Sequence, residues 1–82
     1  MVKKPARKNI VGRRVAEARK RCNPVLTQDA LSGRLARLGI QLDRAAIAKI
    51  ETNCRHVLDY ELKALAVVLG VEINWLLGDE KR

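Results

Sequence analysis

Apolar residues recur at helical spacing along this chain, and no stretch shows a sustained alternation of two bounded by hairpin turns. Ile10, Val11, Val15 and Ala18 fall at i, i+1, i+5 and i+8, one face of a helix, while Arg13, Arg14, Glu17, Lys20 and Arg21 fall elsewhere. Asn9 offers this first helix an N-cap. Asn23-Pro24 closes it, because Asn tolerates the left-handed C-terminal position and Pro drives the residue before it out of helical geometry. Thr27 caps a second helix in which Ala30, Leu31, Leu35 and Leu38 recur up to Gly39, a glycine suited to the position just past a helix end.

Beyond Leu42, which is read as a packing residue, Asp43 caps a short third helix. Ala46, Ile47 and Ile50 face inward in it, and Arg44, Ala45, Ala48 and Lys49 face out, as far as Asn53. A polar loop leads to Asp59, the expected cap of a fourth helix with Leu62, Leu65, Ala66 and Leu69 on its core face and Gly70 at its end. A last turn or two, Ile73 to Leu77, stops at Gly78. The pattern predicts an all-α fold of five helices with short connections.

With 82 residues there is room for one domain and a thin core, since a domain of this size buries only about 60 to 65 % of the surface its unfolded chain exposes. Residues 1–8, MVKKPARK, read as a flexible basic arm, residues 9–78 as the folded domain and residues 79–82 as a charged tail. The longest apolar stretch, Ala64 to Leu69, falls far short of the roughly 20 residues of a membrane span. With a charged N-terminus and no apolar leader, a soluble cytoplasmic protein with free thiols at Cys22 and Cys54 is expected.

The net charge of +8 is unevenly placed. Residues 1–21 carry nine basic side chains against one acid, whereas the remainder holds eight of each. Such a concentration on a small protein points to a polyanionic partner, because each cation set beside a phosphate releases condensed counterions. Charge alone also fits a solubilising tail.

The inventory argues against catalysis. One Ser (Ser32), one His (His56), two Cys and no glycine-rich phosphate loop leave little from which to assemble a nucleophile, a base and an orienting group. Cys54 and His56 with Cys22 lack paired metal-ligand spacing and a fourth ligand, so neither metal nor cofactor is expected. Tyr60 and Trp75, the only aromatics, make no stacking platform for single strands.

In order, the basic VGRRVAEARK, then LTQ opening TQDALSGRL, then IAKIE, then LKALAVVLGVEINWLLG resemble the helix-turn-helix family of phage repressors and Cro proteins, the xenobiotic-response-element family, over residues 9–78. The resemblance implies a lambda-repressor-like domain with helices 2 and 3 as the helix-turn-helix. It implies that Thr27 and Gln28 bind a backbone phosphate at the start of helix 2, and that Arg44, Ala45, Ala48 and Lys49 are the base-reading positions of helix 3. Asn53, Arg55 and His56 then match further phosphate contacts, and Glu51 a structural ion pair or hydrogen bond. The chain departs from the family's pattern in three places: helix 2 and its turn are lengthened through residues 36–43, Asn53 stands where Gly is usual, and Ala30 where an acidic capping partner is common.

These readings converge on a sequence-specific double-stranded DNA-binding regulator, a small repressor of a prophage or mobile element. It would act as a homodimer by occupying an operator, with no small-molecule effector and no membrane partner. The apolar run Val71, Ile73, Trp75, Leu76 and Leu77 would supply a dimer contact or simply close the core. Lys3, Lys4, Arg7 and Lys8 of the arm would follow the duplex. Two other classes stand beside this one: an antitoxin-like or adaptor module using the fold to bind protein, suggested by the alanine-rich outer face of helix 3, and an architectural protein binding DNA without sequence choice.

Overall fold

A computed structural model describes residues 7–78. Their fold is all-α, with five helices and no strand among the described residues: α1 (Gly12–Arg21), α2 (Gln28–Arg37), α3 (Arg44–Glu51), α4 (Asp59–Leu69) and α5 (Ile73–Leu76). Lys3, Lys4 and the tail 79–82 lie outside the described residues.

Helix starts follow the local chemistry. Thr27 accepts a hydrogen bond from the Ala30 N–H at 3.0 Å, and Asp43 accepts one from the Ala46 N–H at 2.8 Å, each satisfying an amide that the first turn leaves without a partner. Asn9 acts at the start of α1, but from further out than expected. Its Oδ1 accepts from the Val11 and Gly12 N–H groups, and the helix begins at Gly12, two residues after Ile10. Likewise Asp59 is the first residue of α4 and not its cap. The Leu58 N–H is satisfied by Glu61, which reaches back at 3.0 Å as half of a capping box.

Helix ends are more uniform. After α2, α3 and α4 the chain turns through a left-handed residue, Gly39 (φ 81°), Asn53 (φ 65°) and Gly70 (φ 69°). In each case the N–H of the following residue closes a wide turn, from Ile40 to the Leu35 carbonyl, Cys54 to Lys49 and Val71 to Ala66. The end of α1 differs from expectation. Asn23 is not left-handed, and α1 stops because Cys22 is already extended.

The core is made by Val11, Val15 and Ala18 of α1, Leu31 and Leu35 of α2, Ile47 and Ile50 of α3, Ala64, Leu65, Ala66 and Leu69 of α4, and Leu76 of α5, with Leu26 and Leu42 entering from loops. α1 packs on α3, α4 and α5, and α2 on α3 and α4. The spacing argument fails at Ile10, Ala30 and Leu38, which are exposed. Ile10 precedes the helix, so the helical angle does not apply to it. Leu38 follows the last residue of α2, so the helical angle does not carry over to it either. Trp75 and Val71 are half-buried, Leu76 is fully buried, and Ile73 and Leu77 are exposed, so the C-terminal apolar run divides between core and surface.

The tightest approach joins α1 to α3. A side chain at Gly12 would run into the backbone carbonyl of Ile50, so the residue type there follows from packing. No described helix is long and apolar enough to cross a membrane.

Candidate nucleic-acid interface

α3 is an eight-residue helix with two fully buried isoleucines, Ile47 and Ile50, which fix its rotation about its own axis. Arg44, Ala45 and Lys49 are consequently exposed and Ala48 half-exposed, as the spacing predicted. No acid occupies the first turn of α3, and its first residue is Arg44. A cation there faces the positive end of the helix dipole, an arrangement that costs about 0.3–1 kcal/mol at an exposed site. Arg44 therefore does not serve helix stability.

Two open hollows flank α3. Val25 of the preceding loop, Thr27, Gln28 and Asp29 at the start of α2, and Arg19 of α1 line the first with Arg44. A second hollow, of ≈ 540 Å³, lies between Ala45 and Lys49 of α3, Lys8 at the root of the arm, and Arg55 and His56 of the loop before α4. Arg44, Lys49, Lys8 and His56 are all exposed.

The remaining expected phosphate binders are engaged within the protein. Gln28 donates from Nε2 to Glu51 at 3.0 Å. Only the backbone of the α2 N-terminus and the exposed Thr27 remain for an outside anion at that point. Arg55 donates to Glu61 from both Nη atoms, at 2.9 and 3.3 Å, and to the His56 carbonyl at 2.9 Å. Its hydrogen bonds with Glu61 outweigh burial and hold the guanidinium above its usual range. Burial works to raise the Glu61 carboxyl, but the bonds from Arg55 and the Leu58 N–H, together with the Arg55 charge, hold it below the usual carboxylate range.

Asn53 is likewise engaged. Its Nδ2 donates to the Asn9 carbonyl at 3.1 Å and to Asn9 Oδ1 at 3.0 Å, while Asn9 Nδ2 donates to the carbonyls of Ile50 (3.1 Å) and Arg55 (2.8 Å). The Lys8 N–H adds a bond to the Asn53 carbonyl at 3.1 Å. This double clasp roots the arm at the C-terminal end of α3 and sets Lys8 beside Lys49 and His56. A glycine at 53 would meet the backbone requirement without the two bonds to Asn9, which gives asparagine a use beyond tolerance of the turn.

The N-terminal excess of charge also divides. Arg19 is 8 % exposed and pairs with Glu51 through two hydrogen bonds. Arg14 donates to the Trp75 carbonyl at 2.9 Å and stacks over its ring, 4.8 Å from the centroid. Arg21 pairs with Glu17 and also faces Trp75. Arg19 and Arg14 are thus engaged with other elements, while Arg7, Lys8, Arg13, Lys20 and Arg21 are exposed. Sequence reasoning assigned Glu51 a structural bond but missed Arg19 as its partner, because the two are 32 positions apart and on different helices. Cys22 and Cys54 are free thiols, and no cluster of potential metal ligands occurs among the described residues.

Comparison of the chain with protein-family models, with curated proteins and with solved structures returns no match.

Proposed function

We propose that the protein binds double-stranded DNA sequence-specifically, with α2 and α3 acting as a helix-turn-helix pair and α3 entering the major groove. The observation that carries this reading is the outward placement of Arg44, Ala45, Ala48 and Lys49 on a helix whose rotation is locked by Ile47 and Ile50, with a dipole-opposed arginine at its tip. A major groove about 12 Å wide admits one helix, Arg44 can meet guanine O6 and N7 with two donors, and the alanine methyls can meet thymine methyls. Thr27 and the first amides of α2 would hold a backbone phosphate at the first hollow.

On this reading the protein is a transcriptional regulator, a small repressor that acts by occupying its operator. Homodimerisation on a two-fold site is part of the proposal, supported by Ile73 and Leu77, which stand four positions apart and exposed at the C-terminal end. The connection between α2 and α3, residues 38–43, is longer than the three or four residues usual in this motif, so the angle at which α3 meets the groove is this chain's own.

In-vitro selection of duplex DNA followed by a salt titration is the deciding experiment. A selected motif whose binding exceeds that of random duplex supports sequence-specific recognition. Equal affinity for both supports an architectural role. Binding to neither, with a stoichiometric protein captured instead, supports the protein-interaction reading, which the small side chains of exposed Ala45 and half-exposed Ala48 favour.

A further inference from the structure

A third hollow, of ≈ 380 Å³, takes no residue from α3. It lies where the last turn of α1 meets the turn between α4 and α5, and Ala18, Leu69, Val71 and Trp75 give it apolar walls. These walls stand without a ligand. Ala18 and Leu69 belong to the core, the chain turns at left-handed Gly70, and Arg14 holds Trp75 by both its carbonyl and its ring. A preformed, mostly apolar hollow of roughly 300–1,000 Å³ with a few convergent polar groups is the common form of a small-molecule site.

The polar groups here are two side chains of opposite sign, Arg21 at the end of α1 and Glu72 just before α5. Both are exposed, yet they do not pair. Among the described residues Glu72 has no ion pair, with Arg21 or with any other cation. Nor does it serve α5, because its side chain accepts no capping hydrogen bond there. Arg21 meets Glu17 through Nη2 at 2.6 Å, and a guanidinium has five N–H donors, so donors are left for a ligand. The Cys22 thiol also lines the hollow but already donates to the Ala18 carbonyl at 3.4 Å.

A wholly apolar molecule in this hollow would take water from both charges without replacing it. A ligand with a single charge would be attracted by one of the two groups and repelled by the other. A compact zwitterion with an apolar body matches all three features. We propose that the hollow binds a free α-amino acid with a large apolar side chain, its carboxylate toward Arg21, its ammonium toward Glu72 and its side chain against Trp75 and Leu69. This inference stands apart from the DNA-binding reading and survives if that reading fails.

Trp75 is the only tryptophan of the chain, so its emission reports on the hollow directly. L-Phenylalanine should change that emission saturably, with a dissociation constant of about 0.1–1 mM for a ligand of its size, and glycine at the same concentrations should not. N-acetyl-phenylalanine and phenylalanine amide, each lacking one charge, should bind about three- to tenfold more weakly. Glu72→Gln should weaken phenylalanine by a similar factor and leave N-acetyl-phenylalanine unaffected, and Arg21→Gln should do the same with the amide as the unaffected ligand. Because Glu72 is exposed and caps nothing, its replacement should not move the melting temperature. Phenylalanine should also slow the reaction of Cys22 with a thiol reagent and not that of exposed Cys54, which lines a different hollow. Absence of a saturable emission change overturns the proposal. Equal or tighter binding of either single-charge analogue overturns the roles given to Arg21 and Glu72, and with them the amino acid as the ligand.

Discussion

Arg19 of α1 and Glu51 of α3 meet in a two-pronged pair, Nε to Oε2 at 2.7 Å and Nη2 to Oε1 at 3.0 Å, with both side chains at or below 10 % exposure. The pair is fully served. Arg19 Nη1 also donates to the Leu26 carbonyl at 3.0 Å, and Gln28 donates to Glu51, so three helices and the loop before α2 share one network. Its hydrogen bond to Glu51 holds the guanidinium above its usual range in spite of burial.

Removing one partner leaves the other charged and buried. Glu51→Ala should destabilise the fold by about 3–5 kcal/mol, whereas the double replacement Arg19→Met with Glu51→Leu should cost much less than the sum of the single changes. Urea unfolding followed through the single Trp75 measures both, and an additive double variant would show that the two residues do not act as a pair.

Two glycines should respond in opposite directions. Gly12→Ala drives a methyl into the Ile50 carbonyl and should cost at least about 1–3 kcal/mol, because a backbone atom at a helix contact has little room to yield. Gly33→Ala, inside α2 with open space around it, should stabilise by about 0.4–1 kcal/mol. Thermal melts of the two variants give the signs directly.

Arg44→Ala should separate binding from stability. On a selected duplex it should lose about 1–3 kcal/mol of affinity and relax preference at one base pair. The folded protein should meanwhile gain a few tenths of a kcal/mol, because a cation is removed from the positive end of α3. If the selected motif is untouched, Arg44 does not read bases. Thr27→Ala should instead weaken all duplexes alike and also lower stability by about 0.5–2 kcal/mol through loss of the cap.

Acid should remove stability through Glu61. Its folded-state carboxyl is held low, so the stability it contributes is present above the unfolded value, about 4.3, and is lost as pH falls through the lower folded one. Glu61→Gln should therefore destabilise at neutral pH by about 1–3 kcal/mol and lose less on acidification than the wild type does. Equal acid sensitivity in the two proteins would place the pH dependence elsewhere.

The all-α layout and most element boundaries were legible because they depend on neighbours in the chain. Thr27 and Asp43 cap as their residue types suggest, and Gly39, Asn53 and Gly70 turn the chain as expected. The outward positions of α3 were also legible, since two isoleucines three apart define its inner stripe. What the pattern could not supply are relationships between distant residues. Nothing local distinguishes Arg19, buried on Glu51, from Lys20, exposed beside it. Nor does spacing reveal that Gln28, Asn53 and Arg55 have their side-chain donors on Glu51, Asn9 and Glu61, leaving Thr27 and His56 as the more accessible members of the expected phosphate-binding set. A helical projection gives Leu38 an inward angle but not the fact that α2 ends one residue before it.

Because asparagine 53 both turns the backbone and grips Asn9, geometry and tethering can be pulled apart there by one change. Glycine at this position would keep the bend and the bonds that Asn9 itself donates to Ile50 and Arg55, while removing the two that Asn53 donates to Asn9. Lys8 would then be anchored by three bonds where five had held it, and weaker capture of a partner without any altered contact surface would be the signature of that loosening.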